Sequence, residues 1–411
     1  GLEMTGQPPD GRERPRNERP LRRWLPPVAL LLISSAVTLA AVELIARLIM
    51  ERPMTVEVSD HGAEIPSGER SIETIGIPNE GLYVRTSTGL RLKRSSRAVV
   101  RNHVVSGTDV TITTNSYGFR YPEVGAKPET ETRVLVLGDS VTFGGSVQDG
   151  ETFPDAAERA LAESEPTGCE GTKIRVINAG VGAVDLQNEV AILMDAGLAI
   201  EPDVVLVALY LNDAHMSYAL QISGAPALFE HSYFLSWVAS RVQALRTEST
   251  LEPTRNRSVD VELRAFAASN PPSYASWVDD DKGFNRIVAE SFDDWGFAWS
   301  PVYWQRVEQL LRLMSAVALE RNFRLAVAFF PVRYQVQADM VRDEPQRHFD
   351  ELMRRLDLPS LDLLPALRAH YTDTGENLFF DHCHYTVAGN DVVGREVARF
   401  LRTVIECPSR P

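Results

Sequence analysis

Gly138-Asp139-Ser140 places a serine hydroxyl directly after a short apolar run, Arg133-Leu137. A serine hydroxyl is a weak nucleophile and needs a base beside it. Far along the chain, Asp381-His382-Cys383-His384 offers one. Its carboxylate and final imidazole stand three residues apart, so one turn brings both to the same side. The carboxylate then orients the ring and stabilises the imidazolium. Asn212, in Leu211-Asn212-Asp213, follows another apolar run and offers a side-chain amide to developing negative charge. The glycine-rich stretch Asn178-Ala179-Gly180-Val181-Gly182-Ala183 can bring a backbone N–H close to a ligand. Nucleophile, base, orienting carboxylate and oxyanion donors together are the parts of acyl transfer through a serine.

Other chemistry fits these residues less well. Asp139 and Asp213 suit the fixing of turns by hydrogen bonding better than catalysis. His382, Cys383 and His384 suggest a metal, but a closed site needs four convergent ligands, so no metal and no cofactor is expected. Gly180-Val181-Gly182 lacks the third glycine of a dinucleotide loop. No GxSxG elbow is present.

These residues need a scaffold that gathers strand ends. Continuous apolar runs at Arg133-Leu137, Lys173-Asn178, Asp203-Tyr210 and Arg324-Phe330 read as buried strands, with a brief fifth at Leu361-Leu364. Helical periodicity separates them at Asp155-Glu163, residues 186–198, Val302-Arg321 and Pro345-Leu356, and a closing helix spans Val387-Val404. Such alternation predicts a parallel sheet covered on both faces: an α/β fold, a three-layer α/β/α sandwich with a doubly wound sheet. Serine and asparagine then lie at the carboxyl edge, where such sheets open a crevice. Between about residues 229 and 301 the rhythm fails. Trp237, Trp277, Trp295 and Trp299 mark an insertion that forms either a lid or substrate wall, or a packing elaboration.

Upstream, Trp24-Val42 carries no charge and follows six arginines, from Arg12 to Arg23. About 20 apolar residues suffice to cross a bilayer as a helix. The arginine bias keeps residues 1–23 in the cytoplasm and exports the remainder. The long lead and apolar run favour an uncleaved single-pass anchor at residues 24–46 over the competing reading, a signal peptide cleaved near Ser34 or Ala36. Residues 51–130 read as a membrane-proximal segment with short strands, one of them Val110-Asn115, and residues 131–408 as the main domain. A net charge of -14 over 411 residues speaks against nucleic acid as a partner. Of the three cysteines, Cys169 and Cys407 are expected to pair in an exported domain, leaving Cys383 free.

Taken in order, the four turns resemble the blocks of the SGNH (GDSL-like) hydrolase superfamily. The resemblance covers about residues 131–408 and implies a flavodoxin-like sheet and a serine esterase. In that likeness Ser140 is the nucleophile and first oxyanion donor, Asn212 the side-chain donor, and Asp381 and His384 complete a triad. The second block departs from the N-x-G-x-x-G pattern: Gly182 is followed by Ala183, so the backbone donor is Gly182 or Ala183. An alanine serves there if its φ is ordinary. Thr114-Asn115-Ser116-Tyr117-Gly118-Phe119-Arg120 resembles a lead-in of bacterial membrane-anchored members. The substrate implied is an O-acyl or short-chain acyl ester, on carbohydrate or lipid. An O-acetyltransferase acting on an exported polysaccharide would use the same residues. A silent envelope-binding protein is the reading from another class.

Overall fold

The computed structural model describes residues 21–49, 55–60, 70–72, 82–214 and 281–406, and residue 234, except positions 87, 104, 165, 167, 170 and 293. Six short strands come first: β1 (Thr55–Asp60), β2 (Arg70–Ile72), β3 (Tyr83–Thr86), β4 (Gly89–Leu92), β5 (Ser96–Arg101) and β6 (Val110–Thr113). They form two antiparallel three-stranded sheets, in the orders β1-β5-β6 and β2-β3-β4. Five strands follow: β7 (Glu131–Gly138), β8 (Lys173–Asn178), β9 (Val204–Tyr210), β10 (Arg324–Phe330) and β11 (Ser360–Asp362). Their spatial order is β11-β10-β9-β7-β8, and every pairing is parallel. The order reverses between β7 and β9, the place where a doubly wound sheet opens its crevice.

β7 and β9 are buried at every residue, which is why they read as unbroken apolar runs. On β10, adjacent phenylalanines point to opposite faces. Phe329 stacks on Phe349 of helix Glu344–Leu356 at 4.9 Å and meets Trp304 of helix Pro301–Arg321 edge-on at 5.5 Å. Phe330 instead meets Phe153 of helix Phe153–Glu163 at 5.1 Å. That second face also carries the closing helix Val387–Val404, which packs along Phe153–Glu163. Helices therefore cover both faces, and the three-layer α/β/α arrangement holds. The core is continuous with the upstream segment: Leu82, Leu92, Val100, Ile112 and Phe119 belong to the same buried cluster as Val134-Leu137.

Some local expectations shift. The strand expected at Leu361-Leu364 ends at Asp362, and a helix, Leu364–Thr374, starts at once. Pro365 sits in its first turn, where a missing N–H costs nothing, and the Asp362 carboxylate accepts from the Leu364 N–H at 2.9 Å. The helical stretch 186–198 stops at Asp195, followed by a 3₁₀ turn, Gly197–Ile200. Of the aromatic insertion, Trp237 and Trp277 lie outside the described residues. Its last part is helix Asp281–Glu290 and the 3₁₀ turn Trp295–Trp299. Trp295 is buried against Trp299 and Tyr334, so these rings act as packing.

The N-terminal helix Leu21–Ile49 contains a 20-residue stretch, Ala29–Leu48, long and apolar enough to cross a membrane. Leu30, Leu31 and Val37 on it are more than 60% exposed, as unpartnered apolar surface. A signal sequence meets the same criteria of length and composition. Cys169 is disulfide-bonded and Cys383 is free and buried; Cys407, the expected partner, lies outside the described residues.

Candidate active site

β7 ends at Gly138, and the chain turns directly into a single helical turn, Ser140–Phe143. Asp139 caps that turn, its carboxylate accepting from the Val141 N–H at 2.8 Å. Gly144, in the left-handed conformation, closes the other end by donating to the Ser140 carbonyl at 3.0 Å. The serine is thereby lifted to the carboxyl edge of the sheet.

The second half comes from a tight hairpin just before the closing helix. Phe379 and Tyr385 bridge antiparallel, and the Phe380 N–H donates to the His384 carbonyl at 2.8 Å. Inside this loop one oxygen of Asp381 accepts from the N–H groups of Cys383 (2.9 Å) and His384 (2.8 Å). Its other oxygen meets Nδ1 of the His384 ring at 2.7 Å, and Nε2 of that ring lies 3.0 Å from Ser140 Oγ. Serine, histidine and aspartate thus form one hydrogen-bonded relay, although Ser140 and His384 stand 244 residues apart.

The electrostatics suit a base. Burial disfavours a charged His384, but the Asp381 carboxylate outweighs it and holds the ring's pKa above the ordinary 6.5. Burial alone would raise Asp381, yet His384 and its hydrogen bond bring the carboxylate far below its usual range. Asp139 is pushed up to about 6, chiefly by burial. Asp381, His382 and Cys383 place ligand atoms within 4.8 Å of one another. Among the described residues only these three groups converge, one fewer than a closed zinc site uses, and the Asp381 carboxylate is already held by three hydrogen bonds.

The glycine-rich turn lies against the Ser140–Phe143 helix. Asn178, fully buried, donates to the Thr142 carbonyl at 2.8 Å and accepts from the Gly180 N–H at 2.9 Å. A Cβ on Gly180 would stand 2.4 Å from the Phe143 nitrogen, so only glycine permits this approach. Gly182 abuts the Tyr83 hydroxyl, which is 2.6 Å from where its Cβ would be. Burial raises the pKa of that phenol, and the neighbouring backbone of Gly182 opposes the rise. The turn thus keeps the N–H groups of Gly182 and Ala183 both as candidate donors. The condition attached to alanine fails, however: Ala183 has φ +61, in the left-handed region. Glycine takes that conformation at no steric cost.

At the end of β9, Asp213 holds the turn by accepting from the Tyr210 N–H at 2.5 Å. Asn212 directs its amide N–H at Asp294 (3.3 Å), and Asp294 also faces His382 (3.5 Å). The insertion thus brings a carboxylate to the amide expected to receive an oxyanion. Sequence reasoning missed Asp294, which no motif marks, and Tyr83. It also missed His103, whose ring feels the charges of His384 and Asp381. Burial first, then the charge of His384, lowers its pKa to about 4 against the opposing pull of the Asp381 carboxylate, so it stays neutral.

No family profile matches the chain, and no curated protein matches it. Several solved structures are similar. A two-domain esterase active on acetylated mannans aligns at 13% identity over 68% of this chain and 51% of its own, with a TM-score of 0.38. The chain thus spans about half of that protein. A variant of Axe2, an acetylxylan esterase from Geobacillus stearothermophilus, aligns at 15% identity, covering 66% of this chain and 94% of that one (TM-score 0.36). A lipolytic protein of the G-D-S-L family from Desulfitobacterium hafniense DCB-2 aligns at 13%, over 66% and 99% (TM-score 0.34).

Proposed function

We propose that the chain is a serine esterase of the SGNH type, hydrolysing an O-acyl or short-chain acyl ester through an acyl-enzyme. The observation that carries this reading is the relay Ser140 Oγ to His384 Nε2 to Asp381, with spacings of 3.0 and 2.7 Å at the carboxyl edge of the sheet. His384 takes the Ser140 proton as Oγ bonds to the ester carbonyl carbon. The resulting oxyanion is held by the Ser140 N–H, a backbone N–H of the Gly182-Ala183 turn, and Asn212 once its amide leaves Asp294. The C–O bond to the alcohol breaks, and His384 returns its proton to that alcohol. Water repeats the sequence on the acyl-serine and releases the acid.

Anchoring by helix Leu21–Ile49, with the catalytic domain outside the cytoplasm, belongs to the same proposal. It is supported by the exposed apolar stretch Ala29–Leu48 and the arginines before it.

The test is Ser140→Ala. The variant should lose hydrolysis of p-nitrophenyl acetate and labelling by a fluorophosphonate while melting like the parent. Retained turnover in a folded Ser140→Ala protein would refute the assignment.

A further inference from the structure

The stretch Thr114 to Arg120 supplies no group to the relay, yet it is tightly built. Asn115 accepts from the N–H groups of Tyr117 and Phe119, both at 3.0 Å, and Gly118 at φ +79 donates back to the Asn115 carbonyl at 2.9 Å. The loop so formed turns Arg120 inward, leaving its side chain 2% exposed. One terminal nitrogen donates to the carbonyls of Phe143 (2.9 Å) and Gly144 (2.6 Å). The other donates to Val147 (2.7 Å) and Thr111 (3.2 Å), and Nε donates to the Asp149 carboxylate at 3.1 Å.

Four of these five acceptors belong to residues 143–149, the chain that leaves the nucleophile's helix. That helix is four residues long. An isolated single turn does not hold itself together, and its last carbonyls have no partner within it. A planar guanidinium can meet several carbonyls at once, whereas an ammonium is a point charge with three donors. We propose that Arg120 is a positioning residue: it clamps the end of the Ser140–Phe143 turn and so holds Ser140 Oγ in register with His384 Nε2. The proposal gives the Thr114 to Arg120 stretch a task, and its kinetic consequence rests on Ser140 being the nucleophile.

Arg120→Lys keeps the charge and removes the fork; Asp149→Asn weakens the partly exposed anchor, whose oxygen also accepts from the Thr113 N–H at 3.1 Å. Three readouts are taken on the full chain: hydrogen exchange of the peptide spanning residues 140–150, the rate of Ser140 labelling by a fluorophosphonate, and kcat and KM with their pH profile. Arg120→Lys should exchange faster over 140–150. Displacing a reacting atom by about 1 Å costs up to ~100-fold, so labelling and kcat should fall tenfold or more. KM and the acid midpoint should stay in place. Asp149→Asn should move exchange and labelling the same way by less. Should Arg120→Lys fail to fold, Asp149→Asn decides alone. Parental exchange and labelling in a folded variant would overturn the clamp. A parent that does not label would overturn the esterase reading instead, and the exchange result would still decide the clamp.

Discussion

Ala183 sits in a backbone conformation that glycine occupies at no steric cost. The left-handed region costs a non-glycine residue about 1–2 kcal/mol, while the freer unfolded chain of glycine takes back about 0.4–1 kcal/mol. Ala183→Gly should therefore raise stability modestly, by about 0.5–1 kcal/mol, without loss of kcat; thermal melting and steady-state kinetics check both. Ala183→Val should lower stability and turnover together. The histidine gives a second expectation. In the proposed mechanism its neutral form is the base, and Asp381 holds the pKa above 6.5. Activity should thus be full at high pH and fall as pH drops through a midpoint above 6.5. A midpoint at or below 6.5 in the kcat/KM profile would argue against His384 as that base. Asn212→Ala should cost about 100-fold or more in kcat, as loss of one oxyanion donor does, with KM little changed.

Among the elements, the five strands of the main sheet were legible because burial on both faces leaves long apolar runs, as in Val204–Tyr210. The helix at Leu364–Thr374 was not, because its apolar residues are few and Pro365 reads as a breaker unless it is placed at a helix start. The relay was legible because its chemistry is local at each end: a serine after a strand, and an aspartate three residues before a histidine. Tyr83, His103 and Asp294 were not, since each reaches the site across tertiary contacts that no spacing encodes. The glycine-rich turn carries its own expectation. Gly180→Ala forces backbone against backbone at Thr142 and Phe143, so it should slow labelling of Ser140 and lower the melting temperature.

For the whole molecule, three buried carboxyl groups lie behind the site. Glu189 and Asp213 have pKa values raised well above ordinary, first by burial and then by acidic neighbours, and Asp139 is raised to about 6. A raised carboxyl pKa means the folded state holds protons that the unfolded chain has released. Stability should therefore fall as pH rises from the unfolded values near 4 through the folded ones. Glu189→Gln should raise the melting temperature at pH 8 more than at pH 5; an equal shift at both would contradict the sign. The 244-residue separation of Ser140 from His384 bears on how the protein is made. Synthesised from its amino end, the chain exposes its serine long before the histidine exists. On the proposed mechanism, reactivity is therefore withheld until the last fold of the polypeptide settles, and a nascent or carboxyl-truncated chain should be inert toward the esters around it.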